Sequence, residues 1–260
     1  MKLYEISTQG AADLQARLQQ AKEGLDLSYF VNKRPAFRTD ADGVAHVWIY
    51  GPLLQDAAPV ERDLGATDYA QIIAELATEG IRGVLLHADS PGGTVSGAIE
   101  AAKAIESLSV PCVSFVHGCA ASAGLKLVAG SDYIVASPSA TVGNIGTIMV
   151  WADTSAMLGA MGVELNAITN EGATLKSTGH LASLTDEQLA FLQEGIDQAG
   201  ADFKAHVAAN RPNIDPEVWK AGWYSGERAL SLGLIDEIGD ERTALARLHE
   251  LIALTTEALV

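Results

Sequence analysis

The sequence predicts an α/β protein of parallel βαβ units, with helices on both faces of the sheet and a helical C-terminal part. Three observations lead there. Short β-branched runs (Val44 to Tyr50, Val84 to His87, Val113 to Val116, Tyr133 to Ala136) alternate with segments of helical periodicity. Such alternation indicates parallel strands joined by right-handed crossovers. Two glycine-rich stretches, Asp89-Ser90-Pro91-Gly92-Gly93 and Gly118-Cys119-Ala120-Ala121-Ser122-Ala123-Gly124, each follow one of these runs. Both therefore fall at the carboxyl ends of strands, where open parallel sheets bind their ligands.

The elements follow in order. Residues 8 to 25 carry Leu14, Leu18 and Leu25 at amphipathic helical spacing, and Asn32 to Gly43 reads as a loop. Val44 to Tyr50 is a strand stopped by Gly51-Pro52, and Leu53 to Gly65 reads as a loop or arm. Thr67-Asp68 caps a helix carrying Tyr69, Ile72, Ile73 and Leu76, which Gly80 stops. After the next strand and the first glycine stretch, a helix is predicted from about Thr94 to Leu108. Val113 to Val116 is a strand, a helix starts at Ser122, and Tyr133 to Ala136 and Leu165 to Ile168 read as further strands. From Thr185 the pattern is helical through Leu189, Leu192, Ile196, Phe203 and Val207, ending near Asn210-Arg211-Pro212. Ser225 opens a helix to Leu232, Gly233 stops it, and Leu234 to Ile238 is the last strand.

Composition narrows the function. At 260 residues, 48% hydrophobic and 19% charged, the chain is that of a single large globular domain. A net charge of −16 with only 17 Lys and Arg argues against a nucleic-acid binder, which needs a basic face. The first residues lack an apolar core and carry Glu5, Asp13 and Glu23, unlike a signal peptide. No apolar run reaches membrane-spanning length, so a cytoplasmic protein without a membrane span is expected. Cys112 and Cys119 read as buried reduced thiols, and no cofactor or metal is predicted.

The paired glycines leave backbone N–H groups free to meet a ligand, and Ser122 holds one hydroxyl among small residues. Alone, Ser122 reads as a helix-start residue chosen for capping. Together with the first stretch it reads as a nucleophile facing an oxyanion site.

SPGG followed about thirty residues later by AASAG resembles the clan of the Clp proteases, the crotonases and the signal peptide peptidase A family. VGNIGTI, Lys176 after Gly172, and GWYSGERALSLGLIDEIG are similar to signal peptide peptidase A, and the form AASA resembles its phage capsid-assembly peptidases. The resemblance spans roughly Val44 to Gly239 and implies a Clp/crotonase-like peptidase domain at 44–240. Residues 1–43 then form an N-terminal helix and loop or arm, and 241–260 a C-terminal helix.

The resemblance also implies roles. Ser122 is the nucleophile, and the backbone amides of Gly93 and Ala123 are the oxyanion donors. In the Clp branch a histidine base follows the serine by about twenty-five residues, but Val142 to Val150 contains none. A lysine base is the alternative, provided burial lowers its pKa toward neutrality. Lys176 matches that lysine, with one residue inserted after Gly172, whereas His87 and His117 read as core residues or as residues supporting the site from behind, and Lys126 as a surface or interface residue. Asn144 stands where the family has a serine that orients the lysine, and its amide oxygen can accept a hydrogen bond.

The expected function is a Ser–Lys endopeptidase that cleaves extended protein segments, in phage or prophage capsid maturation, with capsid or scaffold proteins as partners. By the same resemblance it is a homo-oligomer whose sites take serine and lysine from neighbouring subunits. The alternatives are a housekeeping peptidase, a crotonase-type acyl-CoA enzyme and an inactive assembly protein. The absence of Asp or Glu between Gly118 and Gly130 counts against the acyl-CoA enzyme.

Overall fold

The computed structural model describes residues 4–6, 16, 19, 34–177 and 183–257. The amphipathic stretch at 8–25 lies outside them, apart from Ala16 and Gln19. Among the described residues the first strand, β1, is Tyr4–Ile6, and β2 is Arg38–Thr39. The pair Arg38–Thr39 falls inside the expected loop at 32–43, where it forms a short antiparallel ladder with β3, Val44–Tyr50. Leu53–Leu54 (β4), a short helix at Pro59–Asp63 (α1) and Thr67–Asp68 (β5) lie in or beside the stretch expected to be a loop or arm.

The main sheet is built on three long parallel neighbours: β3, β6 (Gly83–Ser90) and, past Gly92–Thr94 (β7), β8 (Cys112–Ala121). Period-2 alternation sends their side chains to two separate layers. Ala45, Val47, Ile49, Val84, Leu86 and Ala88 meet α2 (Tyr69–Leu76), α3 (Ala98–Glu106) and α4 (Ala123–Ala129) on one face. Val44, Leu85, Val113 and Phe115 face the C-terminal helix on the other, through its Ala244, Leu248 and Ile252. Helices on both faces bear out the α/β class with parallel strands and explain the nearly continuous apolar runs of these strands.

The far edge of β8 is shared between two strands. Its first half pairs with β9 (Tyr133–Ala136), and its second half, Cys119–Ala121, pairs with β10 (Thr141–Gly143). Asp68 caps α2 by accepting the Ala70 N–H at 2.9 Å, as the sequence suggests. The helix after the first glycine stretch starts at Ala98 instead of Thr94, because Gly92–Thr94 is strand and Gly97 turns with φ 88°. Leu165 to Ile168, expected to be a strand, is not one and belongs to neither sheet among the described residues.

A short helix, α5, spans Ser155–Ala160, and the 25-residue α6 spans Asp186–Asn210 under a Thr185 capping box. Beyond it come β11 (Trp223–Ser225), α7 (Gly226–Ser231), β12 (Glu237–Ile238) and α8 (Glu241–Glu257). Among the described residues no helix is long and apolar enough to cross a membrane.

Candidate active site

Sheet register brings the two glycine-rich stretches together. Ser90 of β6, three residues before Gly93, pairs with Ala120 of β8, two residues before Ser122. The Ser90 hydroxyl donates to the Gly51 carbonyl at 2.7 Å and accepts the Gly92 N–H at 3.2 Å, which fixes the bend into β7. A Cβ at Gly93 would overlap the Leu53 carbonyl oxygen, so only glycine lets β7 lie this close to β4. Gly124 works similarly on the serine side, where an added Cβ would stand 2.9 Å from the Ser90 carbonyl.

Ser122 sits at the junction of β8 and α4 and is 1% exposed. Its backbone adopts φ 54° and ψ −122°, a conformation that an L-residue keeps only when its surroundings impose it, at a cost of about 1–3 kcal/mol. Two hydrogen bonds hold it there: its N–H donates to the Gly143 carbonyl and its carbonyl accepts the Lys126 N–H, both at 2.9 Å. The hydroxyl makes no hydrogen bond among the described residues. Ala123, fully buried, follows as the first residue of α4.

Asn144 follows Gly143, whose carbonyl holds Ser122, and so lies just past the end of β10, the strand beside β8. Its φ of 58° suits asparagine better than most residues, and its N–H donates to the Gly222 carbonyl at 2.7 Å. Three residues on is a group that sequence reasoning missed. Among the described residues the Thr147 hydroxyl oxygen is buried without a hydrogen-bond partner, a state that is costly and uncommon. Nothing in a lone threonine signals this.

The structure thus gathers Gly93, Ser122, Ala123 and Asn144, but not Lys176. That lysine is exposed and makes no hydrogen bond to Ser122 within the chain. From Ile148 to Ser177 nearly every residue faces solvent, including Met161 at 70% exposure and Ile168 at 98%. Lys126, read from sequence as a surface or interface residue, is 3% exposed instead. Its Nζ lies 4.6 Å from the centre of the Phe203 ring, because the C-terminal half of α6 covers α4. It borders a cleft of about 700 Å³ between α3, α4 and α6, together with Val95, Ile99, Lys103 and His206.

Other candidates for chemistry are held elsewhere. Burial pushes the Cys112 and Cys119 thiols up to about 12, so neither is a thiolate at neutral pH. His117 stands beside Phe115, on the α8 side of the sheet. His87 stacks on Trp48 with ring centres 4.7 Å apart, and burial, with His46 and His117 beside it, pushes its pKa down to about 3. His46, His87 and Glu241 offer donor atoms within 4.8 Å of one another. The Arg38 guanidinium, however, lies 3.1 Å from His46 Nδ1, where it would repel a cation, and His87 Nε2 is hydrogen-bonded to the same nitrogen at 2.9 Å. We read this group as a packed histidine pair. Asp89 reaches across from β6 to lie against Gly118, so a carboxylate does stand beside the second glycine stretch.

The sequence profile of peptidase family S49 matches residues 104–255, more than half the chain. A provisionally named protease of Methanocaldococcus jannaschii is 32% identical over 188 residues, which cover 70% of this chain and 60% of that protein. Capsid assembly protease C of Escherichia phage lambda is 27% identical over 220 residues, covering 80% of this chain and 49% of that protein. The head-tail preconnector protein GP5 of Enterobacteria phage P21 is 28% identical, covering 82% and 44%. The chain thus spans about half the length of these relatives. Among solved structures, an enoyl-CoA hydratase of Mycobacterium smegmatis aligns at 16% identity and a TM-score of 0.49, covering 85% of this chain and 77% of that one.

Proposed function

We propose, for a chain that belongs to peptidase family S49, a serine endopeptidase in which Ser122 is the nucleophile and Lys176 of a neighbouring subunit the general base. The observation that carries the reading is Ser122 itself. A buried serine is held at a strained φ, next to a glycine strand into which no side chain fits. In the proposed reaction the Ser122 hydroxyl adds to the scissile carbonyl of an extended peptide. The amides of Gly93 and Ala123 stabilise the oxyanion. The neutral Lys176 amine takes the serine proton and passes it to the leaving amine. Water then hydrolyses the acyl-enzyme by the same route.

The exposure of Lys176 in its own chain, amid unpaired apolar residues, supports a site completed between subunits. Docking there would remove the amine from water and lower its pKa, which a free base at neutral pH requires. Asn144 and the unpartnered Thr147 hydroxyl are the groups we assign to orient it. A role in phage or prophage capsid maturation, with capsid or scaffold segments as substrates, rests on the likeness to the lambda protease.

The test is hydrolysis of unfolded casein by the native chain, by Ser122→Ala, by Lys176→Ala and by an equimolar mixture of the two variants. Loss in each variant with recovery in the mixture supports shared sites. Hydrolysis by Lys176→Ala at the native rate would refute the lysine assignment.

A further inference from the structure

β7 has two edges, and both are occupied. On one side Gly93 pairs in parallel with Leu53 of β4. On the other, the chain's own N-terminal strand runs antiparallel, with Tyr4 opposite Thr94, Glu5 opposite Gly93 and Ile6 opposite Gly92. We propose that this second edge is the peptide-docking edge of the catalytic site and that Tyr4–Ile6 holds it as a self-inhibitory strand. The inference rests on the peptidase reading above.

Three features carry it. An extended peptide can reach the Gly93 amide only by adding to the edge of β7 that β1 holds, since β4 fills the other. Strand addition is read by backbone hydrogen bonds, which are indifferent to sequence, so a segment of the same chain competes on equal terms with a substrate. The direction of β1 matters too. It runs from Thr94 toward Gly92, which is toward Ser90 and its partner Ala120, and so toward Ser122. β1 therefore lies as the acyl side of a substrate would lie on its approach to the nucleophile. Among the described residues only three pair, and β1 is the outer strand of its small sheet, so a longer peptide that pairs beyond Thr94 or past Gly92 can displace it. The substrate class this selects is an unfolded or extended segment able to form a longer ladder, not a folded surface.

The test uses the full chain. Successive N–H groups of a strand point to opposite sides, so of Glu5→Pro and Ile6→Pro only one removes a donor that faces β7. The double variant is expected to raise kcat/KM on fluorescein-casein about tenfold, almost wholly through KM, because an occluded groove scales the apparent affinity by its open fraction. One single variant should reproduce the gain and the other should not. Unchanged KM in the double variant, or equal behaviour of the two single variants, would overturn the proposal.

Docking is also read without chemistry, in the Ser122→Ala background. A labelled peptide copying residues 1 to 8 should bind the double-proline chain at least tenfold more tightly than the chain with its native terminus, by fluorescence anisotropy. Equal binding, or none to either, overturns the strand assignment. Casein left intact by every variant counts against the peptidase reading alone, while the anisotropy still decides the strand.

Discussion

The two halves of the proposed dyad sit in opposite physical settings. Ser122 is enclosed by the parallel sheet, with α4 almost wholly buried behind it, and its backbone bonds come from β10 and from α4 of the same chain. Lys176 belongs to a stretch of about thirty residues with almost no core of its own, in which Val150, Met157, Met161 and Ile168 face solvent. A single fold thus encloses Ser122 and the glycine strand but leaves Lys176 exposed. Exposed apolar surface on this scale marks a contact face. On the proposed reading, stability and catalysis have separate sources: the sheet supplies the first, and the second waits on a neighbouring subunit.

The contrast can be broken or sharpened in several ways. Most severe is Ser122→Ala, expected to lower casein hydrolysis at least about a thousandfold while leaving the melting temperature the same or higher. Lys176→Ala should match it in activity and change the melting temperature little, since the side chain is exposed. Recovery of hydrolysis when the two are mixed is the decisive readout, and persistent inactivity would place both groups in one chain.

Gly93→Ala comes next. Its Cβ would overlap the Leu53 carbonyl, so β7 must shift and a displaced oxyanion donor should cost about 100- to 1,000-fold in kcat. Native turnover by a folded Gly93→Ala chain would remove that amide from the site. Ile168→Asp is expected to lower activity about tenfold at a fixed chain concentration and to restore it as concentration rises. Sedimentation velocity should show a matching fall in assembly. Activity that does not depend on concentration would detach the exposed segment from catalysis.

The mildest effect belongs to the buried sheet. His87 has a folded pKa of about 3 against an ordinary value near 6.5, so between these values the unfolded chain binds a proton that the folded chain refuses. His87 is therefore expected to cost stability as pH falls below about 6.5, by roughly 1.4 kcal/mol per unit at most. Urea melts of the native chain and His87→Phe at pH 6.5 and 5.5 check this. An identical pH slope in both would show that His87 carries no such linkage.

Legibility in the sequence follows the same division. Strands β3 and β9 were readable to the residue, because apolar β-branched runs end at strong stops such as Gly51-Pro52. α2 was readable from Asp68 and its apolar spacing. The extension of β8 through Gly118 to Ala121 was not, since four small residues carry little strand preference and are held by the ladders to β6 and β10. β7 was missed for the same reason: its glycines are strand only because β4 and β1 flank them. Leu165 to Ile168 shows the converse, an apolar run that belongs to neither sheet among the described residues. Around Ser122, composition marked the serine and the glycine stretch beside it, while local spacing could not show that Lys126 lies under Phe203.

The backbone of Ser122 has a consequence for how this chain changes over generations. Glycine would adopt φ 54° without the penalty a Cβ brings, so Ser122→Gly relaxes the turn and makes the fold harder to melt. Selection for stability therefore favours glycine at this position, and on the proposed reading selection for the hydroxyl opposes it. A lineage released from the need to cut peptides would drift down that slope and grow more heat-resistant as it lost its chemistry.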